Sequence, residues 1–255
     1  MHRFYLPPEQ AKGPALTLSG PEAHHAVRVL RVRRGDTVTV LDGVGLQCAC
    51  EVEQTARDRV MLKVFERRQV PPLPCQVTLL QALPKGKLIE SIIQKATELG
   101  VWRIVPLLTE RVVAKLDLEA SAHKALKWQA IAVEAIKQCG SAWLPKVDPP
   151  ATPEQHLASD AQPELSLIGS LQQGARHPRQ YFQEFENARH RKPSSIAVWI
   201  GPEGDFAPAE LELAQSAGAL PITLGPLVLR TETAALYCLS VINYEVQYPA
   251  ATAAT

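Results

Sequence analysis

No apolar run in the 255-residue chain approaches the roughly 18 residues that a membrane-crossing helix requires, so a helical membrane protein is not expected. The start, Met1-His2-Arg3-Phe4-Tyr5-Leu6, has neither a long apolar segment nor a small-residue cleavage site. No secretory leader is therefore expected, and the cytoplasm is the expected compartment. Cysteine is scarce and scattered: Cys48, Cys50, Cys75, Cys139 and Cys238 form an odd set that does not read as a disulfide framework. Cys48 and Cys50 share one face of an alternating run, but no second pair at zinc-ligand spacing accompanies them, so no metal is expected and both read as core thiols. The common nucleotide signatures are missing too. Gly201-Pro202-Glu203-Gly204 lacks the Gly-x-Gly-x-x-Gly spacing. Gly86-Lys87 has Gln81 where a P-loop needs its first glycine and Leu88 where it needs Ser or Thr. ATP and NAD are poor candidates.

What is present is an ordinary globular composition, 46% hydrophobic and 21% charged, with a net charge of only +1. The charge is uneven. Residues 1–70 hold 11 Lys/Arg against 8 Asp/Glu, and the remainder is net acidic. Arg28, Arg31, Arg33 and Arg34 fall close together, a grouping that can neutralise RNA phosphates or can simply be a solvated helix end before the Gly35-Asp36 turn.

Residues 1–70 read as a small β-rich unit. Apolar runs at Thr37–Leu41, Leu46–Val52 and Val60–Val64 are separated by the turn residues Asp42-Gly43 and Arg57-Asp58, and a helix over Pro21–Leu30 precedes them. The pattern suggests a compact barrel. Pro71, Pro72 and Pro74 place the domain boundary there, with residues 71–255 as the second domain. Beyond it the rhythm alternates. Strands are expected at Gln76–Leu83, Arg103–Leu108, Leu165–Gly169, Ile196–Ile200 and Leu220–Leu224. Helices are expected at Lys87–Leu99, Ala120–Lys137, Pro208–Ala217 and Glu232–Val246. This is the α/β class, with a mostly parallel sheet covered on both faces. The polar, basic residues 171–195 read as an exposed irregular insertion.

Two strand-to-helix joints are unusual, because each puts Gly-Pro directly after a buried strand: Ile200-Gly201-Pro202-Glu203-Gly204 and Leu224-Gly225-Pro226-Leu227-Val228-Leu229. Ligands in open α/β sheets bind beyond the carboxyl ends of the strands. Glycine there admits a ligand close to the backbone and proline stiffens the loop, which suits a flat polar heterocycle. Arg230 lies just before a helix N-terminus, where the helix dipole disfavours a cation, so it reads as functional. Thr231 reads as that helix's N-cap, and Glu232 fits its first turn equally well as structure or as function. Glu90, Gln94 and Glu98, with Lys85 and Lys87 before them, read as a solvated helix face, and His24-His25 as structural or RNA-facing.

Several stretches resemble the RsmE family of 16S rRNA uracil-N3 methyltransferases, a branch of the SPOUT superfamily. They are Lys87-Leu88-Ile89-Glu90 through Gln94-Lys95-Ala96-Thr97-Glu98-Leu99-Gly100-Val101, Thr109-Glu110-Arg111, Ile200–Gly204 and Leu229-Arg230-Thr231-Glu232-Thr233. Arg3-Phe4-Tyr5 and His25–Arg31 with Gly35-Asp36 match near the start. The chain departs from the family pattern at Ser141, Asp205 and Leu227.

The resemblance implies an N-terminal PUA-like RNA-binding β-barrel and a C-terminal SPOUT domain whose chain threads a trefoil knot. It implies a homodimer, S-adenosylmethionine as cofactor and the 16S rRNA of the 30S ribosomal subunit as partner. The cofactor contacts would come from Ile200, Gly201, Pro202, Glu203, Gly204, Leu224, Gly225 and Leu229, and the RNA contacts from Arg3, His25, Arg28, Arg31 and Arg34. Arg230 and Glu232 would be the catalytic pair, the first stabilising charge on the uracil oxygens and the second accepting the N3 proton. A SPOUT ribose 2′-O-methyltransferase and a non-enzymatic RNA-binding factor remain the alternative readings.

Overall fold

The computed structural model describes residues 2–111, 118–159, 162–172 and 174–247. They form two compact units. The first comprises Met1–Pro72 together with Val133–Leu144, and the second Leu73–Ala132 with Pro145–Thr255.

In the first unit five strands form one sheet: β1 (His2–Tyr5), β2 (Ala15–Ser19), β3 (Thr37–Leu41), β4 (Leu46–Thr55) and β5 (Arg59–Gln69), ordered β1-β3-β4-β5-β2. Only the β1–β3 pairing is parallel. Alternation drives one face inward. Phe4, Leu16, Leu18, Val38, Val40, Cys48, Cys50, Val52, Val60 and Leu62 make a closed apolar core. Cys48 and Cys50 lie within it, and burial pushes the Cys50 thiol up to about 12. The expected helix over Pro21–Leu30 is a single helical turn, α1 (Gly20–His24), continued by a π-helical segment His25–Val29. β1 and β2, four and five residues long, are not anticipated from the sequence, and β5 runs past the expected end at Val64 to Gln69.

Residues 133–144 join this unit by specific bonds. Leu144 N donates to Gly43 O (3.0 Å), Gly45 N to Ala142 O (3.0 Å), and Trp143 Nε1 to Val70 O (3.0 Å). Gly45 is required here. Its φ is +102°, and a Cβ would stand 2.8 Å from the Trp143 ring.

The second unit is built on six strands, β6 (Gln76–Ala82), β7 (Arg103–Leu107), β8 (Lys146–Val147), β9 (Leu165–Gly169), β10 (Ser195–Ile200) and β11 (Ala219–Ile222), ordered β11-β9-β10-β6-β7-β8. Every pairing is parallel. β10 is central and buried along Ile196–Ile200, which explains its continuous apolar run. The helices are α2 (Leu88–Glu98), α3 (Leu118–Cys139), α4 (Pro153–Ser159), α5 (Pro178–Arg189), α6 (Pro208–Ser216) and α7 (Thr231–Ile242), the last followed by a π-helical turn, Asn243–Gln247. The last residues of α3, from Val133, belong to the first unit. Trp199, Phe206, Leu80, Leu107, Ile168 and Leu211 pack as one core cluster, with Trp199 Nε1 donating to Ser166 Oγ at 3.1 Å.

Two expectations need correction. Residues 171–195 are not an irregular insertion. They contain α5, started by His177 and Pro178 and docked through buried Tyr181 and Phe182. Most of its remaining positions are polar because only this narrow stripe is buried. The last strand ends at Ile222, two residues before the expected Leu224, so Thr223 and Leu224 fall in the following loop.

Candidate active site

Beyond the carboxyl ends of β9, β10 and β11 lies a cavity of about 430 Å³. Three loops wall it. The first contributes Gly201, Pro202, Glu203 and Asp205, the second Thr223 through Leu229, and the third Gly169 through Gln172 with Gly174 and Ala175. Ile200, at the end of β10, and Thr231 and Ala234, at the start of α7, complete the lining.

Each loop is fixed locally. In the first, Asp205 N donates to Pro202 O at 3.0 Å, and Asp205 adopts a left-handed φ of +63°. In the second, Gly225 N donates to Thr223 Oγ1 at 3.3 Å, with Gly225 at φ +113°. The third is held to β11 at both ends: Ser170 N donates to Ile222 O and Arg176 N to Pro221 O, each at 3.1 Å.

The two Gly-Pro loops thus meet at one site. Of the expected cofactor contacts, Ile200, Gly201, Pro202, Glu203, Leu224, Gly225 and Leu229 line the cavity, whereas Gly204 does not. Its carbonyl instead accepts a hydrogen bond from Arg111. Sequence reasoning misses the third loop, although Gly169 closing an apolar strand, with Ser170 directly after it, is a usable signal.

Arg230 occupies the N-cap position of α7 and is exposed; Glu232, in the first turn, is half-buried. Neither lines the cavity, although both adjoin Thr231, which does. Thr231 is not the N-cap. It is the first residue of α7 and is buried. Its hydroxyl donates to Gly201 O at 2.7 Å and accepts from Gln81 Nε2 at 2.9 Å.

In the first unit Arg28, Arg31, Arg33 and Arg34 are exposed, and Arg31 takes a left-handed φ of +56°. Arg3 serves the end of α3, its Nη1 donating to Gln138 O at 2.8 Å and Lys137 O at 3.3 Å, where a cation suits the helix dipole. His25 Nδ1 stands 3.4 Å from Lys137 Nζ. Lys137 is buried, and burial works against its charge, but ion pairs with Glu22 (2.7 Å) and Glu134 (2.9 Å) outweigh it and leave the pKa raised. Among the described residues no group of three or more His, Cys, Asp or Glu is placed to hold a metal, and no helix is long and apolar enough to cross a membrane.

A fully parallel sheet with a loop-walled cavity at its carboxyl edge defines an α/β protein with a candidate ligand site at the end of its central strands. Residues 71–243 match the family model of an RNA methyltransferase domain, and residues 18–65 that of an RNA methyltransferase PUA domain. Ribosomal RNA small subunit methyltransferase E from Bacillus subtilis is 32% identical over 92% of this chain and 92% of its own length. The protein of that name from Synechocystis is 35% identical over 95% of this chain and 77% of its own. Among solved structures, a Legionella pneumophila protein in complex with bound SAM superposes with a TM-score of 0.84 at 34% identity, covering 95% of this chain and 96% of that one. Ribosomal RNA small subunit methyltransferase E from Neisseria gonorrhoeae, bound to S-adenosyl methionine, gives 0.83 at 27% identity, covering 96% and 98%. The chain belongs to the ribosomal RNA small subunit methyltransferase E family.

Proposed function

We propose that this protein transfers the methyl group of S-adenosylmethionine to uracil N3 of an unpaired uridine in the 16S rRNA of the small ribosomal subunit. The observation that carries the reading is the convergence of both Gly-Pro loops on one cavity, in a chain whose relatives are solved with that cofactor bound. The residues present fit it. The loops expose backbone groups to a flat heterocycle, and the cavity has room for a ligand of this size. When bound, the cofactor supplies the sulfonium methyl.

The chain's own residues do the rest. Arg230 stabilises negative charge on the uracil oxygens as N3 loses its proton, and Glu232 accepts that proton directly or through water. Alignment of base and cofactor contributes at best roughly 7–11 kcal/mol. A paired uridine hides N3, so the base is presented unpaired or flipped. Residues 1–70 act as the RNA-binding domain and 71–255 as the methyltransferase domain. Exposed Arg28, Arg31 and Arg34 hold phosphates. Arg3 and His25, engaged by α3 residues, contribute by shaping that surface. The protein works in the cytoplasm as a homodimer, with its C-terminal segment threaded as a trefoil knot.

Calorimetry with S-adenosylmethionine tests the site. Wild-type protein binds one equivalent per chain. Gly201→Val binds more weakly, because a Cβ there sits 3.2 Å from both Asp205 Oδ1 and Phe206 N and the loop must shift to admit it. Equal binding by both proteins refutes the location.

A further inference from the structure

Glu110 and Arg111 follow β7, two strands from β10 across the sheet, yet Arg111 is bonded to the loop that follows β10 and Glu110 to α6 beyond it. Glu110 N donates to Glu210 Oε1 at 2.8 Å. The other oxygen of the same buried carboxylate accepts from Ala207 N at 2.9 Å. That bridge fixes the segment beside the cofactor loop. It brings the Arg111 guanidinium against Gly204, whose Cβ, if it had one, would stand 3.5 Å from Arg111 Cδ.

From there Arg111 Nη1 donates to the carbonyl of Gly204 and, at 3.3 Å, to that of Asp205. These two carbonyls flank the one residue of the loop that holds a left-handed conformation despite having a side chain. Asp205 is further held by its own carboxylate, which accepts from Phe206 N at 2.8 Å. Asp205 lines the cavity; Arg111 does not. Charge-assisted bonds to carbonyls are stronger than neutral ones, so a guanidinium is well suited to hold a peptide pair in a costly geometry.

We propose that Arg111 is a positioning residue for the cofactor loop: it clamps the carbonyls on both sides of Asp205 and so holds Gly201–Asp205 in the shape that receives S-adenosylmethionine. This rests on the cofactor reading above. Arg111 touches neither cofactor nor RNA and acts through the backbone.

The test is a double-mutant cycle read as the dissociation constant for S-adenosylmethionine. Arg111→Ala weakens binding about tenfold, the worth of a charged hydrogen bond. Arg111→Lys, which keeps the charge but lacks the planar fork, falls between the two. Glycine adopts the Asp205 conformation freely. In the Asp205→Gly background, therefore, Arg111→Ala costs at least threefold less than in the wild type, about 0.7 kcal/mol of coupling. At saturating cofactor kcat is retained, and the salt dependence of RNA binding is unchanged.

Independent, multiplicative losses overturn the proposal, as does cofactor binding indifferent to Arg111. A reduced salt slope also overturns it, because it makes Arg111 a phosphate ligand. Failure of the wild-type protein to bind S-adenosylmethionine removes the cofactor reading and this proposal together, whereas normal wild-type binding that ignores Arg111 removes this proposal alone.

Discussion

Thr231 Oγ1 donates to the carbonyl of Gly201 across 2.7 Å and accepts from the Gln81 amide at 2.9 Å. A single hydroxyl therefore joins the end of β6, the first Gly-Pro loop and the start of α7. Thr231 and Gln81 are both buried, so removing the hydroxyl strands its polar partners away from water, at about 1–3 kcal/mol. Thr231→Val keeps the shape and should raise the dissociation constant for S-adenosylmethionine about tenfold. Thr231→Ser should restore most of the affinity. Titration calorimetry on the three proteins checks this.

The exposed cluster of Arg28 and Arg31 predicts a salt effect. Replacing both by alanine should weaken RNA binding and flatten the dependence of log K on log salt by about 2, close to one unit for each phosphate no longer neutralised. An unaltered slope moves the RNA footprint elsewhere.

Lys137 is buried at the end of α3, with only 4% of its side chain exposed and its ammonium between Glu22 and Glu134. Lys137→Met should destabilise the protein by about 3 kcal/mol in urea unfolding, since Glu22 loses its partner in a largely buried setting. The pKa of Lys137 is raised by these carboxylates. Its stabilisation is therefore complete below the ordinary lysine value of about 10.4 and is lost as pH climbs through the higher folded value. The alkaline fall in stability should be shallower in the variant.

Glu164, just before β9, is held down to about 2 by the Arg191 guanidinium and the Ser194 amide, which donates at 2.7 Å. A depressed carboxylate stabilises above its unfolded pKa of about 4.3, and that contribution disappears as pH falls toward 2. The pair is largely exposed, so the effect on stability is small. The titration itself should be plain. In Arg191→Ala, the Glu164 carboxyl resonance should titrate nearer the ordinary carboxylate range.

Much of this is legible from local pattern. β3, β4 and most of the parallel sheet follow from apolar runs between turn residues, and the two Gly-Pro joints from their position after buried strands. What is not legible depends on distant partners. α5 hides because only Pro178, Tyr181 and Phe182 of its twelve residues are buried, leaving no full apolar stripe to read. Thr231 carries the sequence signature of a cap, and only Gln81 and Gly201, brought in by the sheet, give its hydroxyl a different use. Arg3 matches a motif expected to face RNA, but the carbonyls it meets come from residues 137 and 138, far along the chain. The attachment of residues 133–144 to the first unit is likewise set by tertiary bonds alone.

The central claim is methyl transfer to uracil N3 with Arg230 at the reacting base. The most direct measurement incubates purified protein with labelled S-adenosylmethionine and small ribosomal subunits from a strain lacking this gene, then maps the product by mass spectrometry. The account predicts one N3-methyluridine per subunit with the wild-type protein and roughly a hundredfold or greater loss of rate with Arg230→Ala, the order expected on removing one donor to a developing oxyanion. A methyl group on ribose, no incorporation at all, or an Arg230→Ala variant that turns over normally would contradict it.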